Sequence, residues 1–207
     1  MTHLRGKFIV FDGGEGCGKS TQARLAREKL EMSGVSVLAV HDPGATRIGQ
    51  MIREILLDPS NNDMAMRCEM LLYMASRAQM MVETILPALN DGKVVISDRF
   101  VSSTLAYQLG GDGLTANDIR QVAEIAIKGR WPDVTMILDM PAERSIARVT
   151  RAKDRIEQRP IEYHRQVREN YLSQAKADPV RVKVISADRS KDQVHADVWA
   201  AVSSITS

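Results

Sequence analysis

Phe8-Ile9-Val10-Phe11-Asp12-Gly13-Gly14-Glu15-Gly16-Cys17-Gly18-Lys19-Ser20-Thr21 is the stretch on which the fold of this chain turns. Phe8 to Phe11 form an apolar run of strand length. Gly13 to Ser20 fit G-x-x-x-x-G-K-[ST], and the residues from Thr21 onward carry helical spacing. Strand, glycine loop and helix in that order distinguish a phosphate-binding P-loop from a plain glycine turn. Successive backbone N–H groups in such a loop make a concave nest for anions, and glycines permit the φ > 0 angles it needs. The following helix aims its positive end at the same point. Lys19 can reach the β- and γ-phosphate oxygens of a nucleotide, and the Ser20 hydroxyl can ligate Mg²⁺. Gly13, Gly14, Glu15, Gly16, Cys17, Gly18, Lys19, Ser20 and Thr21 are therefore the expected triphosphate-binding segment, although the loop does not say which nucleotide it serves.

Working outward, Val35–Val40, Val94–Ser97, Val134–Asp139 and Val182–Ile185 read as further strands. Helical patterns fill the gaps: Thr21–Met32, Ile48–Leu57, a methionine-rich Met64–Asn90, Ser102–Leu109, Pro141 to about Thr150, and Ile161–Ala175. Thr115, with Asp118 three residues on, caps another helix. Ser190 and Gln193 form a capping box for a last one that runs through Ile205. Five short strands alternating with helices predict an α/β fold, a five-stranded parallel sheet covered on both faces, with right-handed crossovers. In such a sheet, ligands bind beside the carboxyl ends of the strands.

The chain has 207 residues and is expected to form one domain over 1–207, with a lid at about 148–160. Its 28 basic and 26 acidic residues leave a formal charge of +2, which argues against a surface that coats nucleic acid. Two cysteines make neither a disulfide framework nor a metal pattern, and the four histidines are scattered, so a cytoplasmic setting is expected. Met1 to Lys7 are too short and polar for a signal peptide, and no apolar stretch approaches the roughly 20 residues of a membrane span.

Asp98-Arg99 stands at the end of the third strand. There an Asp can hold Mg²⁺ through water and an Arg can fork onto a phosphate, or the two can be an ordinary surface pair. Arg144, Arg148, Arg151, Lys153, Arg155 and Arg159 cluster across a helix end and a loop. They form either a solvated face held by Asp154 and Glu157, or a lid that closes arginines over a transferring phosphoryl group and excludes water. Glu15 inside a phosphate loop repels phosphate unless it faces a donor such as a sugar hydroxyl; otherwise it serves the helix dipole. Tyr73 and Arg77 share a helix face and suit a nucleobase, although a core tyrosine and a surface arginine are the ordinary expectation for such a pair. Cys17 either has a thiol pKa lowered by the helix N-terminus or simply fills a small slot. The methionines of 64–90 are expected to pack in a core or a subunit contact.

The chain resembles the bacterial thymidylate (dTMP) kinase family. The resemblance rests on Phe11 to Thr21, on Ile48-Gly49 with Ile52-Arg53-Glu54-Ile55-Leu56-Leu57, and on Leu71-Leu72-Tyr73-Met74-Ala75-Ser76-Arg77-Ala78-Gln79. It continues through Asp98-Arg99-Phe100-Val101-Ser102-Ser103-Thr104-Leu105-Ala106-Tyr107-Gln108, Pro132-Asp133 to Asp139, and Asp154-Arg155-Ile156-Glu157. It implies a P-loop nucleotide kinase fold and transfer of the ATP γ-phosphoryl group to dTMP. It further implies that Glu15 binds the 3′-hydroxyl, Tyr73 stacks on thymine, Arg77 contacts O4, Arg99 holds the acceptor phosphate, and Asp98 and Ser20 organise Mg²⁺. Thr104 and Gln108 would lie near the base and Tyr107 under the deoxyribose. Arg151 and Arg155 would be lid catalytic arginines, with Arg148 near the adenine of ATP. A homodimer through the methionine-rich helices is implied as well. His41-Asp42-Pro43-Gly44-Ala45-Thr46 departs from the family's usual Arg-Glu-Pro-Gly-Gly-Thr, and His for Arg removes a permanent charge near the acceptor.

Other P-loop functions leave different marks. A deoxynucleoside kinase needs a carboxylate base after the second strand, a place that Asp42 occupies. A GTP switch needs an Asn-Lys-x-Asp motif, which does not occur. A nucleotide-binding regulator that has lost catalysis has no need of Lys19, Asp98 and Arg99. Phosphoryl transfer to a phosphate needs no general base, because a phosphomonoester with a second pKa of ≈ 6 is already mostly ionised at neutral pH.

Overall fold

The computed structural model describes residues 2–205; Met1, Thr206 and Ser207, which fall within the expected domain, lie outside the described residues. Strands β1 (Phe8–Gly13), β2 (Val37–His41), β3 (Val94–Asp98), β4 (Val134–Asp139) and β5 (Val182–Ser186) form one parallel sheet in the order β2-β3-β1-β4-β5. β1 is central and wholly buried, as expected of an apolar run covered on both sides. Its side chains alternate between two cores. Ile9 and Phe11 join Ala26 and Leu30 of α1 (Lys19–Met32) and Val198 of α9 (Lys191–Ser203). Phe8 and Val10 join Met70 and Met74 of α3 (Met66–Met80) and Ile119 of α6 (Ala116–Ile127) on the other face. Phe8 also meets Phe100 edge to face, with ring centroids 4.9 Å apart.

Register is what positions the site. Phe11 of β1 lies opposite Asp98 of β3, and His41 of β2 lies opposite Asp98 from the other side. The Arg99 N–H donates to the Phe11 carbonyl at 2.9 Å, and the Asp42 N–H to the Asp98 carbonyl at 3.0 Å. Three strand ends therefore converge just beyond the glycine loop.

The expected helix over 64–90 is interrupted. α3 ends at Met80, a π-helical turn spans Met81–Ile85, and α4 (Leu86–Asn90) follows. Pro87 has no N–H to give to the carbonyl four residues back, so an i→i−4 ladder cannot run through it. The methionine stripe packs: Met70, Met74, Met80 and Met81 are buried. The strongest local signals match. Thr115–Asp118 and Ser190–Gln193 both form capping boxes. α2 (Arg47–Leu57) starts on Thr46, whose hydroxyl accepts from the Gly49 N–H at 3.0 Å. α5 (Val101–Tyr107), α7 (Ala142–Ala147) and α8 (Ile161–Ala177) complete the helices used below. The helix expected from Pro141 to about Thr150 ends at Ala147, and residues 148–160 form turns and irregular backbone.

Candidate active site

The glycine loop has the geometry its glycines were expected to permit. Gly13 and Gly16 have φ of 137° and 72°. A Cβ at either position would collide with a carbonyl, that of Leu138 or of Ser145 respectively, so no other residue fits. The Lys19 ammonium is buried within the loop and donates to the Gly13 and Gly14 carbonyls at 3.2 and 2.6 Å. At the start of α1 the Ser20 hydroxyl donates to the Asp98 carboxylate. Cys17 does not have an activated thiol: burial pushes its pKa up, against the downward pull of Lys19, and it fills a slot in the core.

Arg99 is held by a network that spans four elements. It adopts the left-handed region at φ 71°, unusual for a residue with a Cβ. Nη1 donates to the Gly13 carbonyl at 3.2 Å and to the Ser103 hydroxyl at 3.1 Å, and Nη2 pairs with the Glu15 carboxylate. Beneath it lies buried Asp12, whose carboxylate accepts from Ser102, Ser103 and, at 2.6 Å, Tyr171 of α8. Glu15 also accepts from the Tyr107 hydroxyl at 3.0 Å. Burial raises the Glu15 pKa, but Arg99, Lys19 and the Tyr107 hydroxyl outweigh it and bring the group down to about 2. Glu15 thus faces donors rather than the phosphate nest.

Two cavities meet at this network. The larger, about 600 Å³, runs along Gly18, Lys19, Ser20, Thr21 and Asp98 to Arg148. The smaller, about 90 Å³, is lined by Tyr73, Arg77, Thr104, Tyr107 and Gln108. Glu15, Asp42, Arg53, Arg99 and Arg151 line both. Each residue expected to touch the base or sugar is thus on one cavity, and Glu15, Gly16, Gly18, Lys19, Ser20 and Thr21 of the phosphate loop are on the other.

Arg77 is not the surface arginine expected on ordinary grounds. It is buried, and its Nε and Nη2 both reach Asp42 Oδ2, at 2.7 and 2.5 Å. The guanidinium also lies over the Phe100 ring at 5.2 Å. Only a buried counter-charge makes such a placement tolerable. Burial pushes the Asp42 carboxyl up and Arg77 pulls it back. Oδ2 of Asp42 is thus taken by Arg77, while its Oδ1 has no hydrogen-bond partner and the residue lines both cavities. His41, at the position where a permanent charge was expected, lines the larger cavity.

The arginines of 148–160 separate into two kinds. Arg151 is largely exposed and binds Glu157 in a fork at 2.7 and 2.8 Å, with its guanidinium on both cavities. Arg155, expected as a catalytic lid arginine, is turned inward in this structure. It is buried, its Nε donates to the Leu56 carbonyl at 2.8 Å, and its Nη2 pairs with fully buried Glu69. Arg159 joins the same carboxylate at 2.8 Å. An interior carboxylate on α3 has drawn two arginines away from the cleft.

Sequence reasoning missed Asp12, Arg53, Glu69, Ser103 and Tyr171 as site-building residues. Arg53 lies beside the apolar face of α2 and donates to the Pro43 carbonyl at 3.0 Å. Nothing local marks Tyr171, whose partner Asp12 lies 159 positions away. Among the described residues no group of three or more His, Cys, Asp or Glu side chains could hold a metal ion by itself, and no helix is long and apolar enough to cross a membrane.

A family model described as thymidylate kinase matches residues 11–198. The chain is 45% identical over 205 residues to a thymidylate kinase of Pelotomaculum thermopropionicum, covering 98% of this chain and 95% of that protein. It is 41% identical over 209 residues to one from Nitratidesulfovibrio vulgaris, covering 97% of each. A crystal structure of thymidylate kinase from Ehrlichia chaffeensis superposes with a TM-score of 0.79 at 30% identity, covering 96% of this chain and 99% of the other.

Proposed function

The chain belongs to the thymidylate kinase family, and from that premise we propose how its own residues transfer the γ-phosphoryl group of ATP to dTMP, giving ADP and dTDP. The observation that carries the assignment of roles is the pair of cavities meeting at Arg99, one rimmed by the phosphate loop and the other by Tyr73, Arg77 and Gln108. ATP lies in the larger with its phosphates on the loop amides and Lys19, and with Arg148 toward the adenine. dTMP lies in the smaller, its phosphate on Arg99 and its 3′-hydroxyl on Glu15. Tyr73 stacks on thymine, Arg77 meets O4, Thr104 and Gln108 lie beside the base, and Tyr107 lies under the deoxyribose.

The chemistry asks for alignment and charge neutralisation rather than proton abstraction. Arg99 is fixed by its bonds to Gly13, Ser103 and Glu15, so an acceptor oxygen meets a donor that needs no reorganisation. Arg151, exposed on both cavities, is the arginine free to swing from Glu157 onto the transferring group. The segment around 148–160 is then a short lid hinged on buried Arg155 and half-buried Arg159.

The Ser20 hydroxyl and Asp98 carboxylate, already in contact, are hard oxygen donors that suit Mg²⁺. Ser20 and Asp98 would hold the ion, which would supply charge neutralisation for the triphosphate. The exposed apolar side chains of Met51 and Ile55 on α2, Leu71 on α3 and Val82 in the turn that follows α3 support a homodimer through this helix pair. A cytoplasmic location and one catalytic domain over 1–207 complete the reading. A panel of nucleoside monophosphates with ATP and Mg²⁺, read as diphosphate product, tests it. dTMP is expected to be the preferred acceptor, and thymidine is expected not to be phosphorylated. Preferential phosphorylation of thymidine would overturn it.

A further inference from the structure

We propose that Glu69 is a specificity-positioning residue: it fixes the carboxamide of Gln108 so that an acceptor oxygen, not a donor nitrogen, faces the base. The proposal rests on the reading above that Gln108 lies beside the base. Gln108 carries a donor and an acceptor at the end of one rotatable bond, and a half-turn exchanges them. Left free, the amide would greet a pyrimidine N3 that donates and one that accepts equally well. It is not free. Gln108 is buried, and its Nε2 donates to Glu69 Oε1 at 2.7 Å. A carboxylate only accepts, so only the NH₂ end can face it. Oε1 of Gln108 is left for the cavity that Gln108 also lines.

Glu69 is itself immobile. Its side chain is fully buried in α3, and its second oxygen accepts from Arg155 Nη2 and, at 2.8 Å, from Arg159 Nη2. Arg155 is pinned in turn to the Leu56 carbonyl. The carboxylate cannot rotate away without leaving the buried Arg155 guanidinium unpaired, a heavily penalised state. The orientation of one amide is therefore set by an ion cluster that no nucleotide need touch. Arg77 supplies the matching half: its Nη1, near the Thr104 hydroxyl at 3.4 Å, is a donor in the same cavity. A donor toward position 4 and an acceptor toward position 3 complement thymine and uracil, which present O4 and N3–H. Cytosine presents the reverse, an amino group and a bare N3, and meets donor against donor and acceptor against acceptor.

The test compares kcat/KM for dTMP and dCMP in wild type, Glu69→Gln, Gln108→Leu and the double variant. In Glu69→Gln the neighbour can donate as well as accept, so the Gln108 amide is released to flip. The dTMP-to-dCMP preference is expected to fall by about tenfold or more in Glu69→Gln, with the loss for dTMP in KM rather than kcat, as for a lost hydrogen-bond match. In the Gln108→Leu background, Glu69→Gln should change the preference no further. A fall in preference with Gln108→Leu but not with Glu69→Gln would overturn the role of Glu69 and leave the base site standing. An unchanged preference in Gln108→Leu would overturn the placement of Gln108 itself, and with it the proposal. Should Glu69→Gln fail to fold, the Gln108 side-chain NH₂ signal of the wild-type protein, assigned with Gln108→Leu, gives the answer. It should stay hydrogen-bonded and slow to exchange whether or not dTMP is bound. Its transfer to the nucleotide on binding would overturn the proposal.

Discussion

Glu15 and Arg99, 84 positions apart, form an ion pair at the mouth shared by the two cavities. The acid in the phosphate loop is the counter-ion of an arginine that lines both cavities. It holds the guanidinium in place while the arginine's remaining donors stay available to phosphate.

Arg99→Ala removes that guanidinium at the point where two anions must meet. Turnover of dTMP should fall by ~10³-fold or more, while binding of a non-hydrolysable ATP analogue stays within a few-fold of wild type. Steady-state kinetics and calorimetric titration of the analogue check the two halves. Unchanged turnover would take Arg99 out of the site.

Glu15→Gln should weaken dTMP more than ATP, since the carboxylate faces Arg99 and Tyr107 rather than the phosphate nest. It should also alter acid stability. The Glu15 pKa is depressed from 4.5 to about 2, so its stabilising effect is present above about pH 4.5 and is lost as the pH falls toward 2. The variant should lack roughly 1–3 kcal/mol of that acid-limb loss, measured by urea unfolding across pH. Equal losses of affinity for dTMP and ATP would return Glu15 to a helix-dipole role.

Asp42→Asn leaves the Arg77 cation buried without its counter-charge. Such a break typically costs ~3–5 kcal/mol. Denaturant unfolding should report a loss of this order, and the KM for dTMP should rise as Arg77 loses its orientation. Pairing Asp42→Asn with Arg77→Met should recover part of the stability, and failure to do so would show that the two residues do not act as a pair.

The two lid arginines should separate by readout. Arg155→Met breaks a buried pair with Glu69 and should lower stability by about 3 kcal/mol or more. Arg151→Ala removes a largely exposed side chain but leaves the buried Glu157 carboxylate without its cation, so it should also cost stability, about 1–3 kcal/mol. The two variants separate in kcat, which should fall by ~10³-fold for Arg151→Ala alone. The reverse pattern would reassign the catalytic role to Arg155.

Thymine differs from uracil by one methyl group, a small handle worth ~1–3 kcal/mol. dUMP should therefore be a real substrate with kcat/KM ~10- to 100-fold below that of dTMP. Complete rejection of dUMP would mean that the base cavity excludes it by something more than the missing methyl.

Much of the architecture was legible because it is written in short-range physics. The glycine spacing of 13–18 dictates a loop that only glycines can trace, and β-branched runs dictate strands. The capping residues Thr115 and Ser190 satisfy N–H groups three positions on. Asp98-Arg99 was legible as a candidate site because a strand end beside a phosphate loop is a place where ligands bind in open parallel sheets. The interruption at Met81–Ile85 was equally local in cause, but Pro87 was hidden within an otherwise regular helical pattern.

The residues by themselves determined a phosphate loop, a parallel sheet around it and the kinds of side chain brought to the strand ends. Tertiary structure alone decided which charges would be paired. Arg77 on ordinary grounds belonged at the surface, and Arg155 over the cleft. One became a buried partner of Asp42 and the other a buried partner of Glu69. Asp12 gathered two serines, a tyrosine and Arg99 from distant parts of the chain. Backbone preferences act over a few neighbours, so they can be read in order along the chain. Ion pairs depend on which elements the sheet order and register bring within about 3 Å of each other in a medium too poor in water to leave a charge alone. That outcome belongs to the packed whole.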